Sequence, residues 1–196
     1  MRKYLGKTFA AAAFVAFCAA PSLASDQLVP GKILIVKPGT LAKAIAKGTF
    51  TLPAGGDVPT TAGGSLEIRD LGDPMNANTY SLPSGGWKGL GNPPGSKGYK
   101  YKGDGSVSDP CKVVLIKTNI VKAVCKGAGV TLDTPVTAPP ARVAAKFSSG
   151  TGTSYCAGFG GTEVKNTATI LKRKDAPAPG DCFSPSGAFV DITPLF

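Results

Sequence analysis

The chain has 196 residues and carries 22 Lys and Arg against 12 Asp and Glu, with no histidine. This surplus of positive charge favours anionic partners, although it also suits a soluble surface that repels its own copies. The lack of histidine excludes Ser-His-Asp and Cys-His catalytic arrangements, and a zinc site would need four scattered thiolates. The composition therefore predicts neither a metal site nor a cofactor.

The first segment of the chain predicts a cleaved signal peptide over residues 1–24. A basic start over 2–7 precedes an apolar run over 9–20, which is too short to span a bilayer. Pro21 ends that run, and the small residues after it fit a cleavage site before Ser25. We therefore expect an exported protein, periplasmic or extracellular, with no transmembrane anchor after cleavage.

Two later segments look like one module used twice. KILIVKPGTLAKAIAKG over 32–48 is repeated, with one gap, as KVVLIKTNIVKAVCKG over 112–127. Further segments match in the same order, which indicates an internal duplication. The corresponding ranges are 49–53 with 129–133, 65–70 with 142–147, 78–87 with 153–162, and 99–104 with 171–175. This predicts two halves, 25–110 and 111–196. We favour one shared core because about 70 residues alone bury too little apolar surface.

Each repeated segment is short, rich in β-branched or aromatic residues, and bounded by Gly, Pro, Asn or Asp. That pattern predicts an all-β fold of short strands. LAKAIAKG also permits a helix, but its counterpart IVKAVCKG favours a strand, so we assign both as strands. The two duplicated halves are expected to form a β-sandwich or a barrel-like domain, rather than two tandem barrels.

Four cysteines remain after the expected cleavage, and an even number in an exported chain predicts two disulfides. In a hairpin centred on Thr118, adjacent strands bring Cys111 within disulfide reach of Cys125. The remaining pair would then be Cys156–Cys182. The alternative, Cys111–Cys182 with Cys125–Cys156, would clasp the ends of the second half. The register of the predicted hairpin has the pairs Cys111–Cys125, Val113–Ala123 and Leu115–Val121.

Several longer strings also carry a resemblance. LPSGGWKGLGNPPGSKGYKYKGDG, DPCKVVLIKTNIVKAVCKG, YCAGFGG and LKRKDAPAPGDC resemble an uncharacterised family of secreted, Gly/Pro-rich bacterial proteins that carry such modules. The resemblance covers about residues 29–182. It implies export and β structure, and it implies no activity.

The acidic residues predict little catalytic chemistry. Most of them lie in expected turns, where carboxylates accept hydrogen bonds from nearby backbone N–H groups. Those residues are Asp57, Asp70, Asp73, Asp104, Asp109, Asp133 and Asp175. Glu67 and Glu163 lie in or near strands and read as charges on a strand face. We therefore expect a protein that is not an enzyme, with a hydrolase lacking histidine as a distant alternative.

The binding candidates are aromatic residues interleaved with cations. They are Trp87, Lys88, Tyr99, Lys100, Tyr101 and Lys102, with Lys172, Arg173 and Lys174 at the matching place in the second half. Aromatic faces beside cations can stack on sugars or bases and pair with anionic groups. Alternation along a strand also allows the aromatics to face the core and the lysines to face solvent. On an edge strand, such lysines would prevent edge-to-edge pairing.

Three functions therefore remain, in order of preference. The first is an exported non-catalytic β-rich protein with a structural or interaction role in the cell envelope or the extracellular space. The second is a module that binds an anionic glycan or another polyanion, so the candidate partners are an anionic polysaccharide or an envelope component. The third is the hydrolase. Retention on heparin that depends on salt separates the first two.

Overall fold

The computed structural model describes residues 25–136 and 143–182. The expected signal peptide, residues 1–24, and the ranges 137–142 and 183–196 lie outside the described residues. The strands of the first half are β1 (Ser25–Leu28), β2 (Gly31–Lys37), β3 (Leu41–Lys47), β4 (Gly64–Asp70), β5 (Ala77–Leu82), β6 (Trp87–Gly89) and β7 (Tyr99–Tyr101). Those of the second half are β8 (Cys111–Lys117), β9 (Ile120–Lys126), β10 (Val143–Ser149), β11 (Thr153–Gly158), β12 (Thr162–Thr167) and β13 (Ile170–Lys174). The helical elements are α1 (Pro59–Ala62) and the 3-10 turns Gly55–Asp57 and Ser84–Gly86.

The strands form two sheets, as the predicted β-sandwich requires. One sheet has five strands in the order β1-β11-β10-β4-β5, and the other has eight in the order β12-β13-β2-β3-β9-β8-β7-β6. β1 pairs with β11 in parallel, and the other described pairs are antiparallel. Among the described residues, no helix has the length and hydrophobicity needed to span a membrane.

A pseudo-twofold axis relates the two halves, as the predicted internal duplication requires. Each of the strands β2 to β7 corresponds to the strand six numbers later, from β8 to β13. When corresponding strands are exchanged, the order of the eight-stranded sheet is reversed but otherwise unchanged, and the same holds for the five-stranded sheet without β1. Register obeys the same symmetry. Ala44 lies opposite Ala123 at the centre of one sheet, and Glu67 lies opposite Lys146 at the centre of the other. The axis therefore passes through both sheets.

The predicted correspondence of two strands needs a correction. The sequence matched residues 65–70 with 142–147, whereas the symmetry of the β4–β10 register matches Gly64–Asp70 with Val143–Ser149. β5 and β11 are likewise shifted by two residues, so that Asn78 corresponds to Tyr155. Since side chains alternate with a period of two, a shift of two residues leaves each side chain on its predicted face. Local similarity could not detect such a shift.

Both predicted disulfides are present, Cys111–Cys125 and Cys156–Cys182. The predicted register of the β8–β9 hairpin was wrong beyond the Cys111–Cys125 pair, because a β-bulge at Lys112 inserts one extra residue into β8. Val113 therefore pairs with Val124, and the residue opposite Ala123 is Val114. β2 has the same irregularity between Gly31 and Ile33, which is the equivalent position. The bulge belongs to the module and is not specific to the disulfide.

The core lies between the sheets and contains buried apolar residues of both halves in one cluster. Its aromatic centre is Phe147, whose ring lies 5.6 Å from that of Trp87 and 5.9 Å from that of Tyr155. Around the axis the packed side chains are small, and alanines such as Ala44 and Ala123 help to line an apolar void of about 20 Å³. The halves therefore share one interior.

Side chains also interlock the halves at the open sides of the sandwich. Asn78 of the first half accepts hydrogen bonds from the backbone N–H groups of Thr131 (2.7 Å) and Leu132 (2.9 Å) in the second. Tyr155, the counterpart of Asn78, donates its hydroxyl to the carbonyl of Thr51 in the first half at 2.7 Å. Each half thus forms hydrogen bonds to the loop of the other half that follows β3 or β9.

Candidate functional site

The outward surface of the eight-stranded sheet is dominated by lysine. Along β2, β3, β8 and β9, alternate residues are buried in the core, and the residues between them are lysines or half-buried aliphatics. We call this outward surface the lysine face. Its lysines are Lys32, Lys37, Lys43, Lys47, Lys88, Lys100, Lys102, Lys112, Lys117, Lys122, Lys126, Lys165, Lys172 and Lys174. They make up more than half of the chain's 22 basic residues.

Acidic residues are almost missing from the same sheet. Within its eight strands, all of which are described, Glu163 is the single acidic residue, and its carboxylate lies 2.6 Å from the guanidinium of Arg173. At the end of β13, Asp175 accepts a hydrogen bond from Lys32, which lowers the pKa of that carboxyl. Lys112, at the equivalent bulge, donates to the carbonyl of Asp104 at 2.7 Å. The other lysines of the face have no such partner among the described residues.

Every lysine of the face has a lysine at the symmetry-equivalent position of the other half. We call two lysines equivalent when the residues that pair with them on neighbouring strands also correspond between the two halves. The pairs are Lys32/Lys112, Lys37/Lys117, Lys43/Lys122, Lys47/Lys126, Lys88/Lys165, Lys100/Lys172 and Lys102/Lys174. The outward aliphatics of the four central strands, β2, β3, β8 and β9, are kept as aliphatics in the same way. Those pairs are Ile33/Val113, Ile35/Leu115, Leu41/Ile120 and Ile45/Val124.

Several inward positions have changed their chemical class between the halves. Where the second half has the Cys111–Cys125 disulfide, the first has Gly31 opposite Ala46. Inward pairs that differ are Gly31/Cys111, Ala46/Cys125, Tyr99/Leu171 and Tyr101/Arg173, and the buried Trp87 corresponds to Glu163, whose side chain is 46% exposed. Packing constrains a core more tightly than a surface, so a duplicated domain would ordinarily keep its interior and vary its outside. Here the outward lysines are the better preserved set.

The aromatic part of the predicted binding set lies in the core. Trp87, Tyr99 and Tyr101 point inward, and Tyr101 is only 1% exposed. The indole of Trp87 donates to the carbonyl of Leu82 at 3.1 Å, and its ring lies 5.3 Å from that of Tyr101. Burial raises the pKa of Tyr101. These rings are therefore not available to stack on a ligand, and their burial supports the alternative in which alternation turns them toward the core.

Arg173 is also removed from the predicted binding set, since it is 3% exposed and faces inward. Its guanidinium donates to the carbonyls of Phe159 (2.7 Å) and Gly161 (3.1 Å) and pairs with Glu163. It stands where Tyr101 stands in the first half, so an ion pair replaces an aromatic contact. The cations of the predicted set that remain on the lysine face are Lys88, Lys100, Lys102, Lys172 and Lys174.

The proposed protection of sheet edges does not describe these lysines. β7 and β13 are each second from an end of the eight-stranded sheet, and the edges are β6 and β12. Lys100 and Lys172 therefore lie on strands that already have partners on both sides. They belong to the same continuous face as Lys43 and Lys122 at its centre.

Several acidic residues outside the face have structural partners among the described residues. As predicted, the side chains of Asp70, Asp73 and Asp104 accept hydrogen bonds from the backbone N–H group two residues further on. Asp57 instead accepts from the N–H of Gly152 and the hydroxyl of Thr153, which joins its 3-10 turn to β11. These contacts stabilise turns and loops.

Two other places among the described residues could be considered as sites. Asp26 lies near Cys156 and Cys182, but those sulfurs form a disulfide and offer no thiolate to a metal ion. An open cleft of about 300 Å³ lies beside Lys47 and the Lys32–Asp175 ion pair. Because both of its lysines belong to the lysine face, the cleft extends that face.

Comparison with known protein families, with curated proteins and with solved structures finds no match for this chain. The lysine face is therefore interpreted from its own geometry.

Proposed function

We propose that this is an exported, non-catalytic β-sandwich that binds an anionic polymer of the cell envelope or the extracellular space through its lysine face. The observation that carries the proposal is that all of the lysines on this face occur as symmetry-equivalent pairs. Inward positions differ between the halves, so the requirements of fold stability do not explain why the outward lysines are the same in both. Selection for a positively charged surface explains it.

The arrangement of the lysines opposes folding, which supports a role in binding. Lys88 lies directly opposite Lys100, and Lys165 lies directly opposite Lys172. Like charges directly opposite each other destabilise a sheet, and the same unfavourable pair is present in both halves. Summed over the face, these charges create a positive potential that attracts polyanions and increases their association rate. Bound anions would relieve the repulsion.

The opposite surface of the sandwich provides an internal comparison. On the five-stranded sheet, the outward positions of β4 and β10 carry both signs of charge, including Glu67, Arg69 and Lys146. Glu67 and Arg69 form an ion pair at 2.5 Å. Of the two described sheets, the eight-stranded one concentrates a single sign of charge and the five-stranded one does not.

The non-catalytic part of the proposal is supported by the roles of the polar side chains. The chain has no histidine to act as a general base. The carboxylates of Asp57, Asp70, Asp73 and Asp104 hold backbone groups, and Glu67 and Glu163 pair with arginines. Two disulfides suit the oxidising environment that an exported protein meets.

Heparin chromatography with matched variants tests the proposal. The face variant is Lys43→Gln/Lys122→Gln, and the control is Arg69→Gln/Lys146→Gln, which removes the same charge from the outward surface of the five-stranded sheet. We expect the face variant to elute at clearly lower salt. Its slope of log affinity against log salt should fall by about 1.5 for the two lost contacts, while the control stays close to wild type. Equal losses in both variants, or no retention of the wild type, would overturn the proposal.

A further inference from the structure

Four lysines form a straight diagonal line across the lysine face. Lys43 on β3 lies opposite Ile35 of β2, and Lys37 lies two residues further along β2. On the other side, Lys122 of β9 lies opposite Ile45, two residues further along β3 than Lys43. Each step thus moves by one strand and two residues. We call this line the lysine file; it runs through Lys37, Lys43, Lys122 and Lys117.

The step to Lys117 repeats the same geometry. Lys122 lies opposite Leu115 of β8, and Lys117 follows two residues later. With strands about 4.8 Å apart and about 3.3 Å per residue, each step is about 8 Å and the whole file is about 25 Å long. The midpoint of the file lies on the pseudo-twofold axis, beside Ala44 and Ala123.

Aliphatic side chains flank the file on both sides. Ile33, Ile35 and Ile45 form a cluster on one side, and the equivalent residues Val113, Leu115 and Val124 form one on the other. All six are half-buried. Apolar neighbours exclude water from the line of charges, which strengthens ion pairs formed there. They also offer contact to the non-ionic parts of a bound chain.

The ammonium groups of the file are available for a partner. Among the described residues, the lysines whose side chains donate hydrogen bonds are Lys32 and Lys112, which lie outside the file. Lys37 and Lys117 are exposed at the two ends, and Lys43 and Lys122 are half-buried by their neighbours at the centre. The centre of the file is therefore less exposed to solvent than its ends.

We propose that the lysine file seats a single linear polyanion, which crosses the pseudo-twofold axis and presents anionic groups at intervals of about 8 Å. This inference rests on the proposed function and specifies the shape of its ligand. Because the file is the same from either end, the site accepts a chain in both directions. A linear polymer engages the four lysines of the file, whereas an anionic bilayer would engage the whole face and involve Lys47 and Lys126 equally.

Heparin oligosaccharides of increasing length test the inference by isothermal titration calorimetry. The file variant is Lys37→Gln/Lys117→Gln. The matched control is Lys47→Gln/Lys126→Gln, which also removes a symmetry-related, exposed pair from strand ends of the same face. We expect wild-type affinity to rise with length up to about 25 Å and then to level off, at one chain per protein. The file variant should bind long chains about tenfold more weakly, with less than about a twofold change in the control.

The shortest oligosaccharides provide an independent measurement. A chain that reaches only Lys43 and Lys122 should bind the file variant as well as it binds the wild type, because the ends of the file lie beyond it. If the file variant and the control lose affinity equally for long chains, the file is refuted while polyanion binding stands. Tight binding to anionic phospholipid vesicles with equal losses in both variants would also refute it. Absence of binding by the wild type would overturn the proposed function itself.

Discussion

Removal of the Cys111–Cys125 disulfide is expected to lower the free energy of unfolding by about 3 kcal/mol. The bond joins residues 14 positions apart. A cross-link of that span removes chain entropy from the unfolded state worth about 3 kcal/mol at 25 °C. The native fold should survive, because the first half forms the equivalent hairpin with Gly31 and Ala46 at these places. The disulfide therefore adds stability to a hairpin whose pairing is already specified.

Urea denaturation of Cys111→Ala/Cys125→Ala measures the effect, with fluorescence of the single tryptophan, Trp87, as the probe of the core. For a domain of this size the melting temperature should fall by about 6–12 °C. A variant that lacks Cys156–Cys182, which spans 26 positions, should lose slightly more, about 3.5 kcal/mol. A loss below about 1 kcal/mol in the first variant would refute the entropic reasoning, and a loss of native fluorescence would refute the claim that the hairpin forms without the bond.

Three further outcomes are expected. Gly31→Ala should destabilise the protein by about 1–3 kcal/mol in urea, since a Cβ there meets the carbonyl of Gly158, whereas Gly56→Ala, in open space, should change little. Equal effects would contradict the close approach. Lys32→Ala should raise the pKa of Asp175 in an NMR titration. Because the folded-state pKa is lowered, the stabilisation by the pair exists above the carboxyl's ordinary pKa and disappears as the pH falls through the lowered one. An unchanged pKa would contradict this pairing. Asn78→Ala should cost about 2 kcal/mol, because the buried N–H of Leu132 and the part-buried N–H of Thr131 lose their acceptor; a cost under about 0.5 kcal/mol would contradict that role.

Local patterns were sufficient to predict the strands and the disulfides. Comparison with its β-branched counterpart IVKAVCKG predicts a strand for LAKAIAKG, and the structure has that segment as β3. Cys111 and Cys125 face each other because a hairpin with a short turn places its ends together. Each of these features depends on residues within about one hairpin. The helix alternative fails for a different reason, because β3 pairs with β2 on one side and with the distant β9 on the other.

The site was only partly predictable, because strand order in a sheet depends on distant residues. β3 pairs with β9, about 80 positions away in the sequence, and this pairing joins the lysines of two hairpins into one face. Alternation along β7 placed Tyr99 and Tyr101 on one side and Lys100 on the other, but it could not say which side was buried. The bulge at Lys112 changed the predicted register, since nothing in CKVVLIK marks an extra residue.

The two halves exchange contacts, Asn78 with Thr131 and Tyr155 with Thr51. These contacts are relevant to how the chain arose. An unduplicated module would leave its β3 edge and its β4 edge unpaired, and both edges are completed here by the other copy. Two identical modules could satisfy them only as a twofold-symmetric homodimer. The fold thus has the strand arrangement of a twofold-symmetric homodimer joined into one chain. Its halves, produced as separate polypeptides, should associate with each other into the same sandwich.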